Sequence, residues 1–144
     1  MTEIRPILDQ INLVTRDMDA SVAFYRRLGV DIPDGSPEWD PHHRAAQLPD
    51  GLDLDLDSSV FAREWDAGWR AGTTGIVIGF KLASRGEVDR VYADLIGAGY
   101  RGQQEPWDAF WGARYAVVED PDGNAVGLMS PVDPAMRWDR PPPS

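Results

Sequence analysis

The fold of this chain is clearest in residues 112–129, Gly-Ala-Arg-Tyr-Ala-Val-Val-Glu-Asp-Pro-Asp-Gly-Asn-Ala-Val-Gly-Leu-Met. Two β-prone runs flank the segment Asp120-Pro121-Asp122-Gly123-Asn124. Pro121 presets its own φ, Gly123 accepts a positive φ, and Asp and Asn side chains bond to nearby backbone. The stretch is therefore predicted to be a β-hairpin with a tight turn, whose acidic residues serve the turn geometry rather than catalysis.

The same plan occurs earlier in the chain. Pro49-Asp50-Gly51 lies 72 positions before Pro121-Asp122-Gly123, again between β-prone runs. A strand at 11–14 followed by a helix resembles a strand at 76–82 followed by a helix, here with a spacing of 67. A loop insertion would produce the difference of five. The order predicts two copies of a strand, helix and hairpin unit, and hence an α+β fold.

The remaining elements follow from periodicity and from turn residues. In the first half we expect strands at 7–14, 30–32, 44–48 and 52–56, with a helix that Asp17 or Asp19 caps and Gly29 ends. In the second half we expect a strand at 75–82, a helix at 87–96, an aromatic loop at 105–112 and the final hairpin. The linker 58–74 is predicted to hold a short helix carrying Phe61, Trp65 and Trp69. The proline-rich tail 131–144 is expected to be irregular.

Length and composition exclude several classes of protein. With 144 residues and 42% hydrophobic residues the chain fits one soluble domain, 1–144. A net charge of −10 opposes binding to nucleic acid. No apolar run is long enough for a membrane helix, and no signal-peptide pattern opens the chain. The lack of cysteine excludes disulfides and thiol chemistry. We expect a cytoplasmic protein without membrane or nucleic-acid partners.

Two motifs resemble the vicinal-oxygen-chelate superfamily, which includes glyoxalases, bleomycin-resistance proteins and extradiol dioxygenases. The segment Asp17-Met18-Asp19-Ala20-Ser21-Val22-Ala23-Phe24-Tyr25, followed by Leu28-Gly29, is similar to its first strand–helix signature. The segment 120–124 is similar to its last hairpin, so the resemblance covers about residues 8–130. It implies two βαβββ modules, about 7–57 and 75–130, that form a curved mixed sheet around a cavity.

The resemblance also implies where a metal would bind. Carried over by position, the four ligands of the family's metalloenzymes fall on Gln10, Asp55, Val77 and Gly127. Val and Gly offer no side-chain donor, and transition-metal sites normally use three or more protein ligands. We therefore expect no metal and no cofactor. His42 and His43 point to opposite sides of an extended segment, which disfavours a shared ion.

Other chemistry has little support in the sequence. No Ser-His-Asp arrangement can be identified, so we assign no catalytic residue. Lys81, the only lysine, is expected at a rim rather than as a desolvated base. Asp53, Asp55 and Asp57 share one strand face, opposite Leu52, Leu54 and Leu56. That acidic face is predicted either to line the cavity or to lie in solvent.

Six tryptophans are more than a core of this size needs. The ligand-binding residues we predict are Trp39, Asp53, Asp55, Trp107, Phe110 and Trp111. Indoles bind planar or cationic molecules, although the same side chains could instead pack at an interface. The first hypothesis is a metal-independent protein that sequesters a planar, cationic antibiotic or metabolite. The alternatives are a metal-dependent lyase, isomerase or dioxygenase of the same superfamily, and a protein that binds a protein partner. Exposed sheet edges predict a homodimer.

Overall fold

The structure, a computed structural model, describes residues 10–65, 71–72 and 76–139. It consists of two compact units, Met1–Ala71 and Gly72–Ser144. The predicted positions 7–9, Trp69 and the end of the tail lie outside the described residues. Each unit contains a mixed β-sheet and helices, so the α+β class is confirmed.

The first unit is a three-stranded sheet with two helices. Its elements are β1 (Gln10–Thr15), α1 (Met18–Leu28), β2 (His43–Gln47), β3 (Asp53–Ser58) and α2 (Ser59–Trp65). Strand β3 is central, parallel to β1 and antiparallel to β2. The alternation of β3 buries Leu54 and Leu56, the face that contacts α1, as expected for a sheet covered on one side.

Helix α1 begins and ends where its sequence predicts. The carboxylate of Asp17 accepts the Ala20 N–H at 3.1 Å, which caps the first turn. Gly29, with φ of 117°, ends the helix in the left-handed conformation. The helix buries one apolar face, made of Met18, Val22, Phe24, Tyr25 and Leu28.

The predicted strand at 30–32 is wrong, because this segment has no regular structure. Its two apolar side chains, Val30 and Ile32, are nevertheless buried, and Ile32 is only 3% exposed. The Arg26 guanidinium donates to the Ile32 carbonyl, and buried Arg44 donates to the Pro33 carbonyl at 3.0 Å and to Asp34. Side chains thus occupy carbonyls that a neighbouring strand would need.

The second unit is a four-stranded sheet with one long helix. Its elements are β4 (Val77–Lys81), α3 (Arg85–Gly97), β5 (Gly102–Asp108), β6 (Arg114–Glu119) and β7 (Ala125–Met129), in the sheet order β4-β7-β6-β5. Strands β4 and β7 are parallel, and the other pairs are antiparallel. Ser84 caps α3, whose buried side chains are Val88, Val91 and Leu95.

The two units repeat the same register and the same turn. Gln10 pairs with Asp53 and Val77 with Ala125, which are the positions related by spacings of 67 and 72. In the first turn Gly51 N–H donates to the Leu48 carbonyl at 2.9 Å. In the second, Gly123 N–H donates to the Asp120 carbonyl at 2.9 Å. Both glycines have positive φ, so the predicted equivalence of the two turns is confirmed.

Two further predictions about the second unit need correction. Residues 105–108 are not loop but belong to β5. Pro106 is tolerated there because β5 is the edge strand and its pairing shifts register between Gln104 and Trp107. The tail is not irregular throughout, because Asp133 caps a short 3-10 helix at Pro134–Met136.

Candidate functional site

Five aromatic side chains of the second unit form one group, here called the aromatic cluster. Its members are Trp107, Phe110, Trp111, Tyr115 and Trp138. Trp111 lies at its centre, with ring centroids 5.1 Å from Phe110, 5.3 Å from Tyr115 and 5.8 Å from Trp107. All these contacts are edge-to-face, the arrangement that the ring quadrupoles favour. The structure therefore brings together three of the six predicted ligand residues.

A tight turn between β5 and β6 holds the centre of the cluster. Ala109 N–H donates to the Ala113 carbonyl at 2.9 Å, and Gly112 N–H donates back to Ala109 at 3.0 Å. Both alanines are fully buried, so the turn is anchored from below. Phe110 and Trp111, at the tip of the turn, remain half-buried. They keep part of their ring surface available to a ligand.

The C-terminal tail bonds to the same turn. Asp133 N–H donates to the Gly112 carbonyl at 2.9 Å, and Trp138 N–H donates to the Phe110 carbonyl at 3.0 Å. The Arg137 Nε donates to the Trp111 carbonyl at 3.2 Å. Gly112 has a φ of 96°, and a Cβ on it would lie only 2.4 Å from the Asp133 carbonyl oxygen. Glycine is thus required where tail and turn meet.

Charged residues beside the cluster are paired with one another. The Asp108 carboxylate accepts hydrogen bonds from Arg85 and from Arg114 Nη1, the latter at 3.2 Å. Arg114 Nε also donates to Asp89 at 2.9 Å. The hydrogen bond from Arg85, followed by that from Arg114, holds the pKa of Asp108 below its ordinary value. This edge of the second unit is therefore electrically balanced rather than acidic.

The predicted acidic face lies in the first unit and divides into two environments. Asp53 and Asp55 are half-buried on β3, next to the positions Gln10 and Asn12 of β1. Asp57 is 3% exposed, and its carboxylate lies 2.6 Å from His43 Nδ1. It is therefore a buried, paired group rather than part of an open acidic wall. Its role is structural, and only Asp53 and Asp55 stay candidates for ligand contact.

Trp39 belongs to the first unit and lies in the turn before β2. It is 54% exposed and contacts Phe61 edge-to-face at 5.5 Å. A recess of about 380 Å³ also opens on the first unit, beside the start of α1. It is lined by Arg16, Asp17, Met18, Asp19, Pro37, Asp40 and Pro41. None of the six predicted ligand residues lines this recess, so the recess and the aromatic cluster are different features.

The four positions that correspond to the family's metal ligands do not fit a metal. Val77 is 51% exposed and has no donor atom. Gly127 has no side chain, and a Cβ there would lie 2.9 Å from the Tyr115 hydroxyl. The Tyr115 side chain thus lies where a side chain at position 127 would begin. Nor do His, Asp and Glu side chains of the described residues form any group of three able to hold a metal ion.

Sequence reasoning missed Tyr115, Trp138 and the pairing of His43 with Asp57. Tyr115 could have been found, because alternation along β6 places it opposite Trp107 in the hairpin. His43 and Asp57 are likewise directly opposite on β2 and β3, once the hairpin register is known. Trp138 gives no local signal, since its partners are 28 or more residues earlier in the sequence. His42 bonds to the Ser58 hydroxyl within the first unit, and Lys81 is exposed on β4.

The family model described as "Glyoxalase/Bleomycin resistance protein/Dioxygenase superfamily" matches residues 7–128. A family protein from Nocardioides is 26% identical, with a TM-score of 0.69, covering 92% of this chain and 87% of its own. A glyoxalase-related enzyme from Fulvimarina pelagi is 20% identical, with a TM-score of 0.74 and 88% of both chains covered. Lactoylglutathione lyase from Agrobacterium tumefaciens is 20% identical, with a TM-score of 0.66, covering 90% and 96%.

No curated protein matches the chain. Within the part of the chain that the structure describes, no helix combines the length and the apolarity needed to cross a bilayer.

Proposed function

Because the chain belongs to the glyoxalase/bleomycin resistance protein/dioxygenase superfamily, we propose that it binds a planar small molecule, an antibiotic or metabolite, without a metal ion. The observation that carries this proposal is the aromatic cluster, in which Trp107, Phe110 and Trp111 are half-buried. Phe110 and Trp111 are held by one turn, and Trp107 lies on the adjoining strand β5. A rigid set of aromatic rings loses little conformational entropy on binding. Such a protein protects by sequestration, because it lowers the free concentration of the molecule it holds.

The metal-dependent alternative is weaker for this chain. Two of the four positions that would supply ligands, Val77 and Gly127, have no side-chain donor, and the Tyr115 hydroxyl fills the space beside Gly127. An activated metal needs both a ligand set and an open coordination position. The remaining donors, Gln10 and Asp55, are too few to provide the first of these.

A preference for cationic ligands is the finer part of the proposal. Stacking on indoles tolerates any planar molecule, so the charge preference has to come from carboxylates. Asp53 and Asp55 are half-buried on β3, on the strand face for which the sequence predicts an acidic surface. We propose that Asp53 or Asp55 of the first unit attracts cationic ligands, as a separate part of the proposal from the stacking residues of the second unit.

The experiment is a tryptophan-fluorescence titration with two planar probes, cationic 9-aminoacridine and neutral acridone. We expect Trp111→Ala to weaken binding of both by about 5- to 30-fold, and Asp55→Asn to weaken only the cation. Added salt should also weaken binding of the cation, because it screens the solvent-exposed part of the attraction between the probe and the carboxylate. Unchanged affinities in both variants would refute the proposal.

Metal analysis of the purified protein tests the alternative. Stoichiometric zinc, nickel, manganese or iron that survives dialysis, and is lost in Asp55→Asn, would restore the enzyme hypothesis. A thermal-shift screen of aromatic antibiotics and metabolites would then identify the ligand, since a molecule that binds only the folded state raises Tm.

We also propose a homodimer, since edge strands such as β5 are commonly covered by a second copy. Light scattering tests this, and the mass of a single chain at all micromolar concentrations would contradict it.

A further inference from the structure

We propose that the tail segment Asp133–Trp138 is a wall of the ligand site, with Trp138 as a stacking residue. This inference rests on the proposed function, because it adds a residue to the same aromatic cluster. Nothing in the local sequence around Trp138 points to such a role. The tail follows the last strand and is rich in proline.

The tail holds the turn at 108–112 by hydrogen bonds. Every carbonyl of this segment accepts a hydrogen bond. The tail supplies four of the six donors, and Arg85 Nη1 is a further donor to the Gly112 carbonyl at 3.2 Å. The Trp138 indole N–H donates to Asp108 at 3.1 Å, and its backbone N–H donates to Phe110. Arg137 and Asp133 donate to Trp111 and Gly112, while Gly112 N–H serves Ala109. The conformation of the turn therefore depends on the tail.

The Trp138 ring is held in place and is also exposed to solvent. Its centroid lies 6.0 Å from Phe110 and 6.5 Å from Trp107, in edge-to-face contact with both. Two hydrogen bonds fix it on its backbone and indole nitrogens. The residue is nevertheless 48% exposed. A large apolar ring that is both held in place and open to solvent is suited to stack on a planar ligand.

Stacking on a ligand and packing against neighbouring rings need different kinds of side chain at position 138. Packing against Phe110 and Trp107 needs apolar volume, which leucine also supplies. Stacking on a planar ligand needs an aromatic face, which phenylalanine keeps and leucine lacks. Both substitutions lose the indole N–H and keep the backbone hydrogen bond to Phe110, so they form a matched pair.

The test measures binding of acridone by tryptophan fluorescence in the full chain. We expect Trp138→Ala and Trp138→Leu to weaken binding about 3- to 10-fold, and Trp138→Phe to stay within about 3-fold of the wild type. Ile96→Ala is the control, since Ile96 is an exposed apolar residue of the same unit, at 38%, on α3. It should bind acridone normally.

The outcomes separate this inference from the proposed function. If Trp111→Ala weakens binding but Trp138→Ala does not, or if Trp138→Leu binds as well as Trp138→Phe, the tail is only a support and the inference is wrong. If neither Trp111→Ala nor Trp138→Ala changes the affinity, the proposed function fails as well.

Discussion

Replacing His43 with alanine should destabilise the first unit, because the buried Asp57 carboxylate loses its hydrogen-bond partner. The Asp57 carboxylate is buried, and His43 Nδ1, at 2.6 Å, is the one side chain among the described residues that bonds to it. A hydrogen bond to a charged group contributes about 1.5–3 kcal/mol, and breaking a fully buried ion pair costs about 3–5 kcal/mol. The His43 side chain is 40% exposed, so water can reach the vacated place. We therefore expect a loss of about 2 kcal/mol.

Urea denaturation at pH 7, followed by circular dichroism, measures this loss. With a slope of about 2 kcal/mol per molar, typical of small proteins, the midpoint should fall by about 1 M. His42→Ala is the matched control, because His42 bonds the Ser58 hydroxyl rather than a carboxylate. The control should lose less than about 1 kcal/mol.

A double-mutant cycle isolates the pair itself. Asp57→Asn should cost less than His43→Ala, because it removes the buried charge together with its need for a partner. In Asp57→Asn, the further change of His43 to alanine should therefore have an effect smaller by about 1 kcal/mol or more. A midpoint of His43→Ala within about 0.2 M of the wild type, or additive effects, would show that the Asp57 carboxylate is solvated without His43.

Three further outcomes are expected. Gly112→Ala should lower the free energy of unfolding by at least about 1–2 kcal/mol, because the residue has positive φ and its Cβ would clash with the Asp133 carbonyl. Thermal unfolding measures this, and an unchanged stability would contradict the contact of tail and turn. Gly127→Ala should lower Tm, because the added Cβ would lie 2.9 Å from the Tyr115 hydroxyl. Adding Tyr115→Phe should restore part of the lost Tm, and a double mutant without recovery would show that the space beside Gly127 is open. The pKa of Asp108 is held below its ordinary value of 3.8. The stability that its carboxylate contributes should therefore be complete above pH 3.8 and be lost as the pH falls through the lowered pKa. The Asp108→Asn variant should lose correspondingly less stability on acid titration, and parallel curves for variant and wild type would refute this.

The sequence was sufficient for those parts of the fold that local chemistry specifies. Asp17 and Gly29 mark the ends of α1 because capping acts within a few residues. The two Pro-Asp-Gly turns revealed the repeat because turn geometry restricts residue choice. The strand predicted at 30–32 is absent because Arg26 bonds to the Ile32 carbonyl and Arg44 to the carbonyl of the next residue, Pro33, contacts that no local propensity can show.

For the candidate site, the sequence predicted the aromatic residues at and beside the turn but not the residues that surround them. Trp107, Phe110 and Trp111 were found because aromatic residues concentrate in one short segment. Pro106 concealed the end of β5, since proline is compatible with a strand only at a sheet edge, and edges follow from the whole topology. Trp138 was missed because its contacts with the turn span about 30 positions of sequence.

The two units differ in the number of residues between their paired parallel strands, and this difference has an evolutionary consequence. The paired strands keep the same register in both, but 43 positions separate Gln10 from Asp53 and 48 separate Val77 from Ala125. The section between helix and penultimate strand is coil in the first unit and carries β5 and the aromatic turn in the second. After a gene duplication, paired strands tolerate no slip, because one step would turn every side chain to the opposite face, whereas a surface loop accepts insertions at little cost. Selection could thus reshape recognition in one half while both sheets stayed intact, and homologues that recognise other molecules should differ in length at this section.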